Sequence, residues 1–370
     1  MSASRPSKSS ERGPGSPGTG RGTLALVLAL VVLVTAGCSS ATRHAPAGAG
    51  PLPTTTTAVV TTTSTTAVSS LAPLTGLPLS DPAKVNRPAL IVKIENDQVA
   101  RPQSGLDVAD VVYEEVVEGG DTRFIAVFQS TDSDPVGPIR SVRPTDRDVV
   151  WPIGGLFAYA GGTPKFVNLL HQAPVVDVGV DSRAEGAYHR RSNHPAPHNL
   201  YSSTPALYAA GGPSGRPPGR IFAFLAPGQP FTPAGVVPAA HLSVAPGHGE
   251  TVDYDWDAAA RAWKRSYGGR PHTVESGAQL APTTVIVQFT PYSNSPGDFD
   301  QAHSPVPVAK VVGTGDAWVM ADGKLVRGHW SKPTPEAVTT YTDAAGAPIA
   351  VPAGRTWVEL TDVGAPVSVR

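Results

Sequence analysis

One cysteine, Cys38, stands in 370 residues, so no disulfide can form within the chain. Charged residues make up only 16%, below the quarter usual for soluble domains, and the formal net charge is −1. The chain therefore lacks the basic field that a nonspecific nucleic-acid binder needs, and nucleic acid is not expected as a partner. No apolar run approaches the ~20 residues of a membrane-spanning helix. A Walker loop and a G-x-G-x-x-G following a strand are both missing. Gly154-Gly155 and Gly161-Gly162 are isolated pairs, so no nucleotide or cofactor is expected. No G-x-S-x-G elbow surrounds Ser104 or Ser141, and no thiol other than Cys38 is available, so no nucleophile stands out and no catalytic residue is assigned. Helix-friendly stretches are also scarce, because 38 Gly and 39 Pro interrupt the chain and favour turns. Hydrophobic content of 40% still suffices for one large or two ordinary domains.

The position of Cys38 is informative. Arg5, Lys8, Arg12 and Arg21 precede an apolar run from Leu24 to Val34, and Thr35, Ala36 and Gly37 lead into the cysteine. This is the layout of a secretory signal peptide over residues 1–37 that ends in a lipobox. Thr35 departs from the Leu, Val or Ile usual at its position, and the competing reading is an uncleaved anchor with an incidental cysteine. Removal of residues 1–37 takes away four basic residues against one acid, Glu11, and shifts the formal charge from −1 to −4. Acylation of Cys38, with palmitate among the acyl groups, would tether the chain to the outer face of the cytoplasmic membrane. Residues 38–74 follow as a Thr/Pro/Ala-rich stalk without apolar periodicity, which as a coil would span roughly 30–36 Å. Its Ser/Thr density with Pro also fits O-glycosylation.

Beyond the stalk, Ala89–Ile94, Val108–Val117 and Phe124–Phe128 are short runs rich in Val and Ile, as strands are. Pro144–Trp151 reads as a short helix and Leu156–Ala160 as a buried strand. Thr163-Pro164 and Ser203-Thr204-Pro205 are helix starts. Val175–Val180 reads as a further strand, and 181–199 as a polar loop. After the Gly/Pro-rich loop at 211–219 the pattern is all-β and antiparallel: 252–256, 262–267, 283–289, 306–312, 317–320, 324–330, 347–351 and 356–360. Pro307 places its strand toward an edge, and Asp322-Gly323 is a hairpin signal. The fold class is α+β, with an N-terminal region over 75–218 and a β-rich C-terminal region over 219–370.

Charges crowd the three N-terminal strands, and unpaired buried charges are costly. Glu114 and Glu118, on one face of an extended strand, could act as general acid and base on a cell-wall glycan. With Glu115 and Asp121, they could equally form ion pairs with Arg101, Arg123, Arg140 or Arg143. The same arginines, Arg140 and Arg143 lying between a Gly-Pro turn and a helix start, could hold a phosphate or carboxylate ligand. Arg190 and Arg191 could join them. His189, His194 and His198 match no metal-ligand spacing, so no metal site is assigned.

RPQSGLDVAD, the YEEVVEGGDTRF run and GPIRSVR resemble the YerB-type lipoproteins of bacteria, and APHNLY resembles a Pro-His-Asn segment of that family. GRPH, VIVQ, DGKLVRGHWSK and GRTWVEL resemble its second region, so the likeness covers roughly 75–360. The resemblance implies a three-layer sandwich whose two regions can share one core. The expectation is a membrane-tethered envelope lipoprotein, non-catalytic, that binds an anionic or carbohydrate ligand. Arg101, Arg123, Arg140 and Arg143 would hold the ligand, with His198 and Asn199 at the rim. The alternatives are a wall-glycan hydrolase using Glu114 and Glu118, and a scaffold that recruits an envelope protein.

Overall fold

The structure, a computed structural model, describes residues 70–247 and 250–370. The leader, Cys38 and the stalk up to residue 69 lie outside the described residues. Ala72 and Leu74 are already buried, so ordered packing starts a few residues before Thr75. Strands of three or more residues are numbered in chain order.

The Val- and Ile-rich runs form β1 (Leu90–Glu95), β2 (Val111–Val116) and β3 (Thr122–Phe128), three strands with almost every residue buried. Next come α1 (Pro144–Val150), β4 (Gly155–Ala158), α2 (Pro164–Leu170), β5 (Val175–Asp177) and α3 (Thr204–Gly211). The Thr-Pro and Ser-Thr-Pro starts work as expected: Thr163 Oγ1 accepts from the Phe166 amide and Ser203 Oγ from the Ala206 amide. The C-terminal half adds β6 (His241–Val244), β7 (Val252–Asp257), β8 (Ala262–Tyr267), β9 (Thr284–Phe289), β10 (Tyr292–Phe299) and β11 (Pro305–Ala309). After them run β12 (Gly313–Ala321), β13 (Lys324–Lys332), β14 (Thr340–Asp343), β15 (Thr356–Thr361) and β16 (Val367–Val369).

One 11-stranded sheet runs through both halves in the order β14-β13-β12-β9-β15-β2-β3-β1-β4-β5, with Val237–Pro238 pairing onto β13. β15 lies between β9 and β2, parallel to both, although its neighbours in sequence suggest an antiparallel region. All six of its residues, TWVELT, are buried, as expected for a parallel strand covered on both faces. Strand alternation then divides the sheet into two faces. One carries Ile91, Val111, Ile125, Ile286 and Val358, and packs against α1, α2 and the β10–β11 ribbon. The other carries Val92, Val112, Phe124, Val285 and Trp357. It packs against α3 and a five-stranded antiparallel sheet built from β8, β7, β6, β16 and the short Arg270–Pro271 strand. The result is the α+β, three-layer arrangement.

Four strands, β6, β10, β14 and β16, go beyond the sequence reading, because their patterns are short or broken by Gly and Pro. The Val306–Val312 run does not enter the central sheet. It forms a ribbon with β10 alone, since Pro305 and Pro307 remove amide donors that a central ladder needs.

Candidate functional site

β1 and β2 end, and β3 begins, at one end of the central sheet, and the crowded charges sort onto its two faces there. On the helix-covered face, the Lys93 ammonium is buried against the carboxylates of Glu115 and Asp146, the latter at 2.6 Å. Asp146 also accepts from the Arg143 amide at 2.6 Å and so caps α1. Burial pushes the Glu115 carboxyl up against the opposing pull of Lys93.

Further toward the end of the same face, Glu95 and Arg123 are register partners on β1 and β3. Glu95 is already engaged, with Arg140 Nε 2.8 Å from one carboxylate oxygen and His198 Nδ1 3.0 Å from the other. Arg143 Nη2 donates to Glu118 at 2.8 Å, and its Nε stands 2.6 Å from the other carboxylate oxygen as an ion pair. Arg123 has no carboxylate within 4.0 Å among the described residues, and its Nη1 donates to the Ser141 carbonyl at 3.0 Å. Its guanidinium is pushed down to about 10, by burial and by the like charges of Arg143 and Arg140. Three guanidiniums thus crowd together with Glu95 and Glu118 as direct partners of Arg140 and Arg143, while Arg123 feels carboxylates, Asp121 among them, only at longer range.

The opposite face holds a second network. Glu114 and Glu359 are register neighbours on β2 and β15, and both side chains are fully buried. Arg265, from β8 of the small sheet, pairs with Glu114 and stands 3.9 Å from Glu359. Its Nε donates to Tyr254 Oη at 3.0 Å, its Nη1 lies 2.7 Å from His272 Nδ1, and the Tyr254 hydroxyl donates to Glu359. Thr122 at 2.6 Å and Asn96 at 3.1 Å also donate to Glu114. Burial, then the Glu114 charge, pushes the Glu359 carboxyl well above the usual carboxylate range. Burial and the neighbouring Arg265 hold His272 well below its ordinary value. Two carboxyls thus share one guanidinium, with Glu359 pushed toward its neutral form and His272 toward its own.

This geometry corrects two expectations. Glu118 does not share a strand face with Glu114, because β2 stops at Val116 and Glu118 opens a 3-10 turn, Glu118–Gly120. Glu114 finds its arginine in the C-terminal half, at Arg265, and not among Arg101, Arg123, Arg140 or Arg143. Glu114 is fully buried with three donors on it, and Glu118 is paired with Arg143, so the carboxylate pair needed for glycan hydrolysis is not assembled.

Arg101 is separated from the other arginines. Its guanidinium stacks on Tyr267 at 3.8 Å, pairs with Glu250, and lines a polar cleft of about 190 Å³ with Asp97, Asp121 and Thr122. Asn199 accepts from Arg190 at 2.7 Å, and Arg191 forks onto Glu275, which also accepts from Ser104 Oγ at 2.6 Å. His194 stands near Tyr201, 6.1 Å between ring centres, and His189 is exposed.

Sequence reasoning passed over Lys93, Glu95, Arg265, His272 and Glu359. The first two and the last sit in largely apolar runs, LIVKIE and TWVELT, where a charge already points to a buried partner. Arg265 gave a weaker signal, as the inward member of the Lys264-Arg265 pair on β8.

Comparison with known proteins agrees with this architecture. Residues 74–215 match the family described as "Protein of unknown function (DUF3048) N-terminal domain", and residues 242–358 match its C-terminal domain. A Bacillus subtilis (strain 168) protein named "Putative lipoprotein YerB" is 35% identical over 138 residues. That match spans 37% of this chain and 41% of the relative, well short of two thirds of its length. A crystal structure of the YerB protein from Bacillus subtilis superposes with a TM-score of 0.67 at 24% identity, covering 81% of this chain and 99% of the other, and shares its fold. The chain belongs to the YerB-like family of proteins of unknown function, defined by these N- and C-terminal domains.

Proposed function

We propose that the protein is an extracytoplasmic lipoprotein, anchored through Cys38, whose arginine-rich sheet end binds an anionic polymer of the cell envelope without catalysis. The anchoring is supported by the leader and lipobox-like sequence and by the similarity to a protein named as a lipoprotein. Among the described residues no helix is long and apolar enough to cross a membrane.

Arg123 carries the binding reading. A protein that needed this guanidinium only for its fold would give it a carboxylate, because an uncompensated buried charge costs several kcal/mol. Here it sits beside two further arginines whose carboxylates are already engaged. A phosphate or carboxylate of a ligand would supply the missing charge in forked geometry. Arg140 and Arg143, with side chains 22% and 12% exposed, form the edge through which a ligand would reach the otherwise buried cluster.

The test is thermal denaturation of the protein with inorganic polyphosphate, in wild type and Arg123→Gln. A ligand at about 100 times its dissociation constant stabilises by roughly 2.7 kcal/mol. The wild type should show that rise and the variant should lose it, while the unliganded variant melts no lower than wild type. Destabilisation of the unliganded variant together with an unaltered ligand response would refute the proposal.

A further inference from the structure

On the helix-covered face, remote from the arginine cluster, a cavity lies between the sheet, the end of α1 and the segment at residues 220–223. Its larger part, about 290 Å³, is lined mainly by Ile221, Phe222, Ile286, Val319, Ile349 and Val351. Five residues, Ile221, Phe222, Val338, Thr339 and Tyr341, also line an adjoining smaller recess of about 20 Å³. The composition changes in that recess, where three donors meet: Tyr113 from β2, Gln288 from β9 and Lys332 from β13.

Each of these donors is incompletely used. Gln288 is 2% exposed; its Oε1 accepts from Tyr341 Oη at 2.8 Å, and its amide nitrogen has no partner among the described residues. Tyr113 is half-buried, its hydroxyl likewise has no protein partner among the described residues, and desolvation pushes its ionisation up. Lys332 is 1% exposed and donates to the carbonyls of Ala337 and, at 2.8 Å, Pro335, which leaves one proton of three. Burial pushes its ammonium down to about 8, against the pull of Asp148 and Glu336. Asp148, also on the recess, is held by Arg147 Nε at 2.7 Å. A predominantly apolar pocket with a few convergent polar groups is the usual form of a small-molecule site.

We propose that this cavity binds a small amphiphilic carboxylate, its head held by Gln288, Tyr113 and Lys332 and its hydrocarbon body in the apolar part. A carboxylate offers about four lone-pair sites and no donor, which suits three N–H and O–H groups that lack acceptors. Burial of the hydrocarbon supplies the remaining affinity at roughly 25 cal/mol per Å².

The experiment is isothermal titration of the full chain at pH 7 with octanoate, octyl phosphate and 1-octanol, in wild type and Tyr113→Phe. Tyr113→Phe removes a hydroxyl that bonds nothing in the protein, so its melting temperature should match wild type. Octanoate should bind one to one, 1-octanol at least about tenfold more weakly, and Tyr113→Phe should weaken octanoate about tenfold, as loss of one hydrogen bond to a charged group does. Absence of octanoate binding, equal affinity for 1-octanol, or an unchanged affinity in Tyr113→Phe would overturn the proposal. Tighter binding of octyl phosphate than of octanoate would overturn the carboxylate assignment.

Discussion

Replacement of Arg265 by methionine probes a buried ion pair that joins the small sheet to the central one. Arg265 is fully buried and brings the only guanidinium among the described residues within 4.0 Å of Glu114 and Glu359. It also lies over the rings of Tyr267 at 4.5 Å and Trp357 at 5.0 Å, so methionine keeps much of the volume but none of the charge. Removal of one member of a buried ion pair costs about 3–5 kcal/mol, because the other charge stays desolvated and unmatched. At roughly 2–3 °C per kcal/mol for a domain of this size, the melting temperature should fall by about 6–15 °C. The deficit should depend on pH with a definite sign. Arg265 pulls the Glu359 carboxyl down against burial, so without it the folded state holds Glu359 protonated to still higher pH than the unfolded chain does. It then binds more protons than the unfolded state, and stability falls as pH rises. The gap between variant and wild type should therefore be widest near pH 8 and narrow toward pH 5. Circular dichroism melts across that range measure it. A variant that melts within about 2 °C of wild type, or a gap independent of pH, would show that the pair does not hold the sheets together as described.

Further outcomes follow from the same geometry. Glu114→Gln should cost clearly less than Arg265→Met, because loss of the Glu114 charge lets Glu359 ionise and pair with Arg265; equal melting temperatures for the two variants would contradict the shared-charge reading. Glu359→Gln should raise the melting temperature at pH 8. The carboxyl is held above its unfolded value by burial and by Glu114, so its cost to the fold grows as pH rises through the unfolded pKa of about 4.3. The gain should vanish near pH 4, and a loss of stability at pH 8 would count against it. Gly323→Ala should destabilise by about 2 kcal/mol in a urea titration, since Gly323 has φ +67° and an added Cβ would stand 2.7 Å from the Trp256 indole nitrogen. A neutral effect would mean that the hairpin turn relaxes freely.

Several features were legible in the sequence because their causes are local. The Val- and Ile-rich runs become β1, β2 and β3, the Pro starts become α1, α2 and α3, and Asp322-Gly323 turns β12 into β13. The crowding of arginines and acids between residues 101 and 143 also marked the three N-terminal strands as chemically distinct. Which charge meets which was not legible. Glu114 and Glu115 are adjacent in sequence, yet strand alternation sends one to Arg265 and the other to Lys93 on opposite faces of the sheet. Arg265 lies 151 positions from Glu114, and nothing local in either segment specifies their pairing. The insertion of β15 beside β2 is equally remote, and it alone sets Glu359 against Glu114. The cavity of Tyr113, Gln288 and Lys332 draws its three donors from three separate strands. Local pattern determined the elements and the charged zone of this protein. The partners within that zone were decided only by tertiary packing, because strand order and sheet stacking join residues whose separation in sequence carries no trace of their contact.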